Sequence, residues 1–230
     1  MERIGTGIAR LDEKLGGGFP LNSTTAVIGT FGTGKSTFGM QFLNEGLRMG
    51  EPCIFLSLDD DEDSLIEAAM QFGWDFKKYV DDGLLLLIKL SPTDIKTAIL
   101  RIRSELPQLF ESFGAKRCVF DSITLFEMLF NGESERRLLV YELAHTIKHS
   151  GATSIITSES DKIHPHSSRF GLIEYMADGV IFLNYWRNGS RKSVSLLFEI
   201  TKMRKVKHSR EIMTYVVAEN GIEICSQFDR

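Results

Sequence analysis

Gly29-Thr30-Phe31-Gly32-Thr33-Gly34-Lys35-Ser36-Thr37 carries the spacing G-x-x-x-x-G-K-[ST]. Each residue type answers a physical demand. Gly29, Gly32 and Gly34 let the backbone turn tightly and approach an anion with no Cβ in the way. Successive N–H groups then point into one concavity, a fixed partial positive charge suited to the α- and β-phosphates of a nucleotide. Lys35 has the reach for the β- and γ-phosphates, and the Ser36 hydroxyl is the type of group that ligates Mg²⁺.

The flanks agree with the motif. Thr24-Thr25-Ala26-Val27-Ile28 is a short β-rich run suited to a buried strand. Downstream, Phe38, Phe42, Leu43 and Leu47 share one side of a helical period that Gly50 and Pro52 end. Strand, glycine loop and helix in that order aim a helix N-terminus at the phosphate.

Composition sets the frame. A chain of 230 residues with 43% hydrophobic and 25% charged residues is long enough for a large core, and the expectation is one α/β domain over residues 1–230. The net charge of -4 argues against non-specific nucleic-acid binding by the whole surface, though not by a local basic patch. Cys53, Cys118 and Cys225 lack metal-ligand spacing, and the first two sit in apolar runs, as reduced core residues do. The first residues lack the apolar segment of a signal peptide. The longest apolar run, Leu84 to Ile88, is too short for a bilayer. The expected location is cytoplasmic, with no membrane partner.

Along the chain, a turn-rich leader (1–23) precedes the glycine-loop strand. Cys53–Leu58 reads as a strand that runs into the acids Asp59-Asp60-Asp61-Glu62-Asp63, with a helix to about Phe72. Leu84–Leu90 is a further strand, and Pro92 opens a helix expected to end near Pro107. Cys118-Val119-Phe120-Asp121 is an apolar run closed by a carboxylate, followed by a helix with Leu139, Val140, Leu143, Ala144 and Ile147 on one face. Ser154–Ser158 and Gly179–Leu183 are strands. From Lys192 onward strands follow back to back, with a hairpin signal at Asn220-Gly221. This alternation predicts an α/β fold: a mostly parallel sheet flanked by helices, with antiparallel strands at its C-terminal edge.

Asp121, at the carboxyl end of a buried strand, is the natural partner of Ser36 in holding Mg²⁺. Asp59 and Asp60 are candidates for orienting the attacking water, whereas Glu62 and Asp63 suit a helix dipole. The basic run from Lys202 to Arg210 admits three readings: a solvated connection, a nucleic-acid patch, or cationic fingers that reach a neighbouring protomer's nucleotide.

Together these residues resemble the KaiC-like family of the RecA superfamily of ATPases, over nearly the whole chain. The resemblance rests on Thr6-Gly7 with Leu11-Asp12, on Gly16-Gly17-Gly18-Phe19-Pro20, and on the glycine loop. Gln41–Gly46, Phe120-Asp121-Ser122, Ala177-Asp178-Gly179 and Lys202-Met203-Arg204 extend it. It implies a RecA-type P-loop core, ATP or ADP with Mg²⁺ as ligands, and a homo-oligomeric ring, usually a hexamer, with ATP between protomers. It also implies that Lys202, Met203, Arg204 and His208 approach the neighbour's nucleotide, with Lys202 and Arg204 acting in catalysis. The family usually has two adjacent glutamates where this chain has Asp59-Asp60. A shorter side chain spares nucleotide binding but slows turnover, since misplacement by about 1 Å costs on the order of 10²-fold.

Other features read as structural. His145 and His149 lie four apart near Glu142, beside a polar helix face. His164–Arg169 reads as a surface loop, at a place where the resemblance to RecA-like rings implies a pore-facing DNA or partner contact as the alternative, and Trp74 and Trp186 read as packing aromatics before adenine-stacking ones. Three functions compete: a ring-forming ATPase acting as regulator or motor, a recombinase-like DNA-dependent ATPase or accessory protein, and a catalytically weak nucleotide sensor that signals by assembly. A protein partner is compatible with each.

Overall fold

Strands buried on both faces set the architecture, in a computed structural model that describes residues 2–90, 97, 101–187 and 194–225. The leader holds a small antiparallel ribbon, β1 (Arg3–Ile4) with β2 (Phe19–Pro20), and a short helix α1 (Ala9–Lys14). Then follow β3 (Thr24–Gly29), helix α2 (Lys35–Arg48), β4 (Cys53–Ser57), helices α3 (Glu62–Met70) and α4 (Phe76–Asp81), and β5 (Leu85–Lys89). The later strands are β6 (Arg117–Asp121), β7 (Thr153–Glu159), β8 (Gly179–Arg187), β9 (Val194–Met203), β10 (Met213–Ala218) and β11 (Gly221–Ile224). Further helices cover Leu106–Phe113, Ile123–Glu127, Glu133–His149 and Ile173–Met176.

The large sheet runs β11-β10-β9-β8-β3-β7-β6-β4-β5. From β8 to β5 neighbouring strands are parallel, and β9, β10 and β11 continue the sheet antiparallel. Alternation along each strand feeds two cores. Val27, Phe55, Val119, Ile155 and Ile181 face Phe38, Phe42 and Leu43 of α2. Ala26, Ile54, Phe120, Ile156 and Val180 face Leu139, Leu143 and Ile147 of the Glu133–His149 helix. Apolar residues on both faces are what a parallel sheet between two helical layers requires. The expected α/β class, mostly parallel sheet and antiparallel C-terminal edge are all present.

Two boundaries differ from the sequence expectation. Much of the helix expected from Pro92 lies outside the described residues. Helical structure does not end at Pro107: a π-helical turn, Arg101–Glu105, runs directly into Leu106–Phe113, with Pro107 in the first turn of the latter. In the C-terminal hairpin Ala218 pairs with Gly221, so the turn is Glu219-Asn220 and Gly221 is already strand. A Cβ on Gly221 would lie 2.6 Å from Gln41 Oε1 and 2.7 Å from Trp74, so close packing demands this glycine as well as its φ of 111°. Among the described residues no helix is long and apolar enough to cross a membrane.

Candidate functional site

β3 lies between β7 and β8, so the glycine loop emerges at the carboxyl edge of the parallel strands, in the middle of the sheet. Such an edge is where open α/β sheets bind ligands. Gly34 takes a left-handed conformation (φ 83°) as the N-cap of α2, and Lys35, Ser36 and Thr37 form the first helical turn. Lys35 Nζ donates to Thr30 O at 3.0 Å, and Thr33 Oγ1 donates to the same carbonyl at 2.8 Å. Burial lowers the Lys35 pKa, while the negative charges of Asp121 and Glu159 oppose that shift. Thr30 Oγ1 is buried with no hydrogen-bond partner, and Phe31 beside it is 84% exposed.

Two tyrosines that sequence reasoning missed fix the loop from the antiparallel side. Tyr185 Oη donates to Phe31 O at 2.9 Å, and Tyr215 Oη donates to Thr33 O at 2.6 Å. A Cβ on Gly32 would stand 2.6 Å from Tyr185 Oη, so glycine here admits the clamp. Next to Gly32 opens a cavity of about 540 Å³ whose wall includes Leu196, Thr214 and Val216. The signal for these tyrosines is faint: each is one aromatic in a strand-like run, and only the sheet order brings it to the loop.

The carboxylates gather at the same edge. Asp121 ends β6, where Thr157 Oγ1 from β7 donates to its Oδ1. Ser57 on β4 lies in register with Asp121, and its Oγ accepts from Asp59 N at 3.2 Å and Asp60 N at 2.9 Å. The turn so formed separates the acids. Asp60 has a raised pKa, chiefly through burial and then through the charges of Asp59 and Asp121. Lys89 Nζ instead donates to Asp59 O at 2.7 Å. Asp61 is the N-cap of α3, accepting from Ser64 N at 3.0 Å and Ser64 Oγ at 2.7 Å, with Glu62 and Asp63 in the first turn. One carboxylate was missed entirely. Glu159 ends β7 in register with Gly29, one strand from the loop, where the Ser154–Ser158 reading stopped a residue short.

The basic segment stands elsewhere. Lys202 pairs with Val180 and Met203 with Gly179, at the strand end where β8 begins, whereas Gly29 pairs with Leu183. Four residues of strand, about 13 Å, separate those levels. Lys202 and Arg204 are therefore not brought to their own chain's glycine loop. Lys202 Nζ donates to Glu174 O and Ala177 O, both at 2.7 Å, and Arg204 Nη2 donates to Tyr175 O at 3.1 Å. Burial lowers the Lys202 pKa, as does the Arg204 charge. Met203 is 5% exposed and packs on Gly179, so its side chain belongs to this chain's core. His208 Nδ1 lies 2.9 Å from Ser209 O.

The remaining candidates resolve locally. Trp74 is 6% exposed and stacks between Phe72 and Phe76, so it packs. Trp186 is two-fifths exposed on β8. His145 and His149 stack on each other, Glu142 pairs with Arg103 at 2.9 Å, and the described residues contain no group of three or more metal-binding side chains.

Ser36, in the first turn of α2, and Asp121, held by the buried Thr157, offer oxygen donors of the hard type that suits Mg²⁺. The orphaned Thr30 hydroxyl and the Cβ-free cradle at Gly32 and Gly34 suit a phosphate chain beside it.

This fold, with its glycine loop at the centre of a mostly parallel sheet and its antiparallel extension, is that of a RecA-type P-loop protein. A family described as "ATPase: KaiC" matches residues 4–228, and the chain belongs to that family. It is 30% identical to the circadian clock oscillator proteins KaiC of Acaryochloris marina and Synechococcus elongatus, over 96% of its own length. It spans 44% of the length of each of those relatives. The crystal structure of a KaiC-like protein from Pyrococcus horikoshii superposes with a TM-score of 0.85 at 30% identity, covering 97% of this chain and 99% of that one.

Proposed function

We propose that this chain, read as one RecA-type unit, is a magnesium-dependent ATPase that binds ATP at residues 29–37 and turns it over slowly within a homo-oligomeric ring. The observation that carries the reading is the cluster at the sheet edge: Lys35, at an anion cradle clamped by two tyrosines, feels the charges of Asp121 and Glu159. The loop amides and Lys35 hold the phosphates, and Lys35 exchanges the Thr30 carbonyl for a phosphate oxygen. Ser36 and Asp121 would hold Mg²⁺, which would supply neutralisation of phosphate charge. Thr157 keeps Asp121 oriented.

Asp60 orients and deprotonates the attacking water. Its carboxylate sits close enough to Asp121 for the two charges to interact, at the strand edge that carries the glycine loop. The cavity beside Gly32, with Leu196 and Val216 next to Ser195 and Thr214 in its wall, has the position and mixed lining for the base of the nucleotide. Lys202 and Arg204, at the far end of the sheet from their own loop, serve a neighbouring copy's nucleotide, with His208 alongside and Met203 fixing the strand from within. A nucleotide site at one end of the subunit and cations offered at the other suit head-to-tail association, which closes into a ring when the rotation allows.

Calorimetry with ATP and magnesium tests the binding, alongside solution mass with ATP, ADP or neither and measured phosphate release. Magnesium-dependent heat, abolished in Lys35→Ala, together with ATP-dependent growth in mass, is the expected result. Folded protein that gives no heat with ATP refutes the reading.

A further inference from the structure

The short Ile173–Met176 helix is joined on one side to the chain's own phosphate site and on the other to the cations that face away from it. Glu159, at the loop-facing end of β7, pairs with Arg169 Nη1 at 3.4 Å, and Arg169 N donates to Glu159 O at 2.8 Å. Between them the chain folds back on itself, with Ser160 bridged to Ser168 and Asp161 N donating to Ser167 O at 2.8 Å. Ser168 is buried at the end of this loop. Its Oγ donates to Glu174 Oε2 at 2.7 Å, its N donates to Glu174 Oε1, and Ser167 Oγ donates to that same oxygen at 3.3 Å. The backbone of the same short helix and of its C-cap Ala177 holds the cations: Glu174 O and Ala177 O accept from Lys202, and Tyr175 O accepts from Arg204, which Asp178 also engages through its carboxylate at 3.8 Å and its carbonyl.

We propose that this helix is a relay linking occupancy of a chain's own phosphate loop to the placement of its Lys202 and Arg204, with Glu174 as the positioning residue at its centre. The inference rests on the nucleotide reading above and adds regulation of that site. A driving force is present. A triphosphate beside Lys35 brings negative charge towards Glu159, which it repels, and so shifts the balance of the exposed Glu159–Arg169 pair. The Glu159–Arg169 pair therefore has different energies with and without nucleotide, as a shift between two states requires. Movement of Arg169 pulls on its neighbour Ser168, which carries two of the bonds to Glu174. The path runs from Glu159 to Lys202 through the Arg169 ion pair, the Arg169–Ser168 peptide link, the Ser168–Glu174 hydrogen bonds and the Glu174 carbonyl. Its consequence in a ring is that a filled site adjusts the cations offered to the next site.

The test is the rate at which the Lys202 amine is acetylated in the full-length chain, followed by mass spectrometry with and without ATP and magnesium. Calorimetry and solution mass are recorded on the same samples. In the wild type ATP is expected to change Lys202 labelling at least about threefold, since a modest shift of about 0.65 kcal/mol between two states produces that ratio. Ser168→Ala and Glu174→Gln are expected to bind ATP and assemble as the wild type does, yet to lose most of that response, and Ser168→Thr is expected to retain it. Bound ATP with Lys202 labelling unchanged in the wild type overturns the relay alone. A response that persists in full in both Ser168→Ala and Glu174→Gln is burial of Lys202 by a neighbour, and also overturns it. Absence of ATP heat in the wild type defeats the nucleotide reading itself.

Discussion

At the scale of single residues, the site assigns different work to side chains that look alike in the sequence. Asp59, Asp60 and Asp61 are consecutive, yet one offers its carbonyl to Lys89, one lies near Asp121 and one caps a helix. Asp60→Asn is expected to lower phosphate release by about 10²-fold while leaving ATP affinity within about twofold, because a general base contributes on that order. The corresponding Asp59→Asn is expected to cost far less, and rates measured at saturating ATP separate the two. Tyr215→Phe removes a buried hydroxyl that donates to Thr33 O at 2.6 Å. Its expected effect is a loss of about 1 kcal/mol of stability in urea unfolding, with weaker ATP binding as the loop loosens. Glu127 is completely buried with both carboxylate oxygens unpartnered, and burial, helped by the charge of Glu174, raises its pKa to about 8. The stabilisation from keeping that proton is fully present below the ordinary glutamate value of 4.5 and is lost as pH rises through about 8. Glu127→Gln is thus expected to shrink the fall in Tm between about pH 6 and about pH 9 by on the order of 5 °C, read by calorimetric melting.

At the scale of elements, α2 is held from three sides. Gln41 Nε2 donates to Gly7 O at 2.8 Å, Ile222 N donates to Gln41 Oε1 at 2.7 Å, and Arg117, fully buried, donates to Phe42 O at 2.9 Å and to Gly5 O at 2.6 Å. The leader and the last hairpin thereby brace the helix that begins at Lys35. Gly221→Ala drives a methyl into Gln41 and Trp74 at a positive φ, and is expected to cost about 2–4 kcal/mol in urea unfolding. Cys53 and Cys118 are buried in adjacent strands, and burial pushes the Cys53 thiol up to about 12, so thiol chemistry is quiet there.

At the scale of the whole molecule, the sheet holds two charged clusters apart. Its carboxyl edge carries Lys35 among Asp60, Asp121 and Glu159, and its other edge carries Lys202 and Arg204 beside Asp178. Lys202→Ala and Arg204→Ala are expected to leave ATP binding by the isolated chain intact and to lower hydrolysis in the assembled state by at least about 10²-fold. Mixing either variant with Lys35→Ala protein tests the geometry. Partial recovery of phosphate release is expected, because a site with an intact loop then meets a neighbour with intact cations.

Much of this protein is legible in its sequence, because local chemistry determines it. The spacing of Gly29, Gly34, Lys35 and Ser36 identifies the phosphate loop, alternating apolar runs identify the strands, and Asp121 stands out as a carboxylate closing one of them. Each of these signals lies within about ten residues and follows from backbone sterics, periodicity or charge. Tertiary structure alone decided the rest. It placed Tyr185, Tyr215 and Glu159 at the loop, put Met203 in the core, and carried Lys202 and Arg204 to the opposite edge from Lys35. The physical reason is that strand order and register set distances between residues far apart in the chain. A single sequence records those distances only through the whole packed sheet.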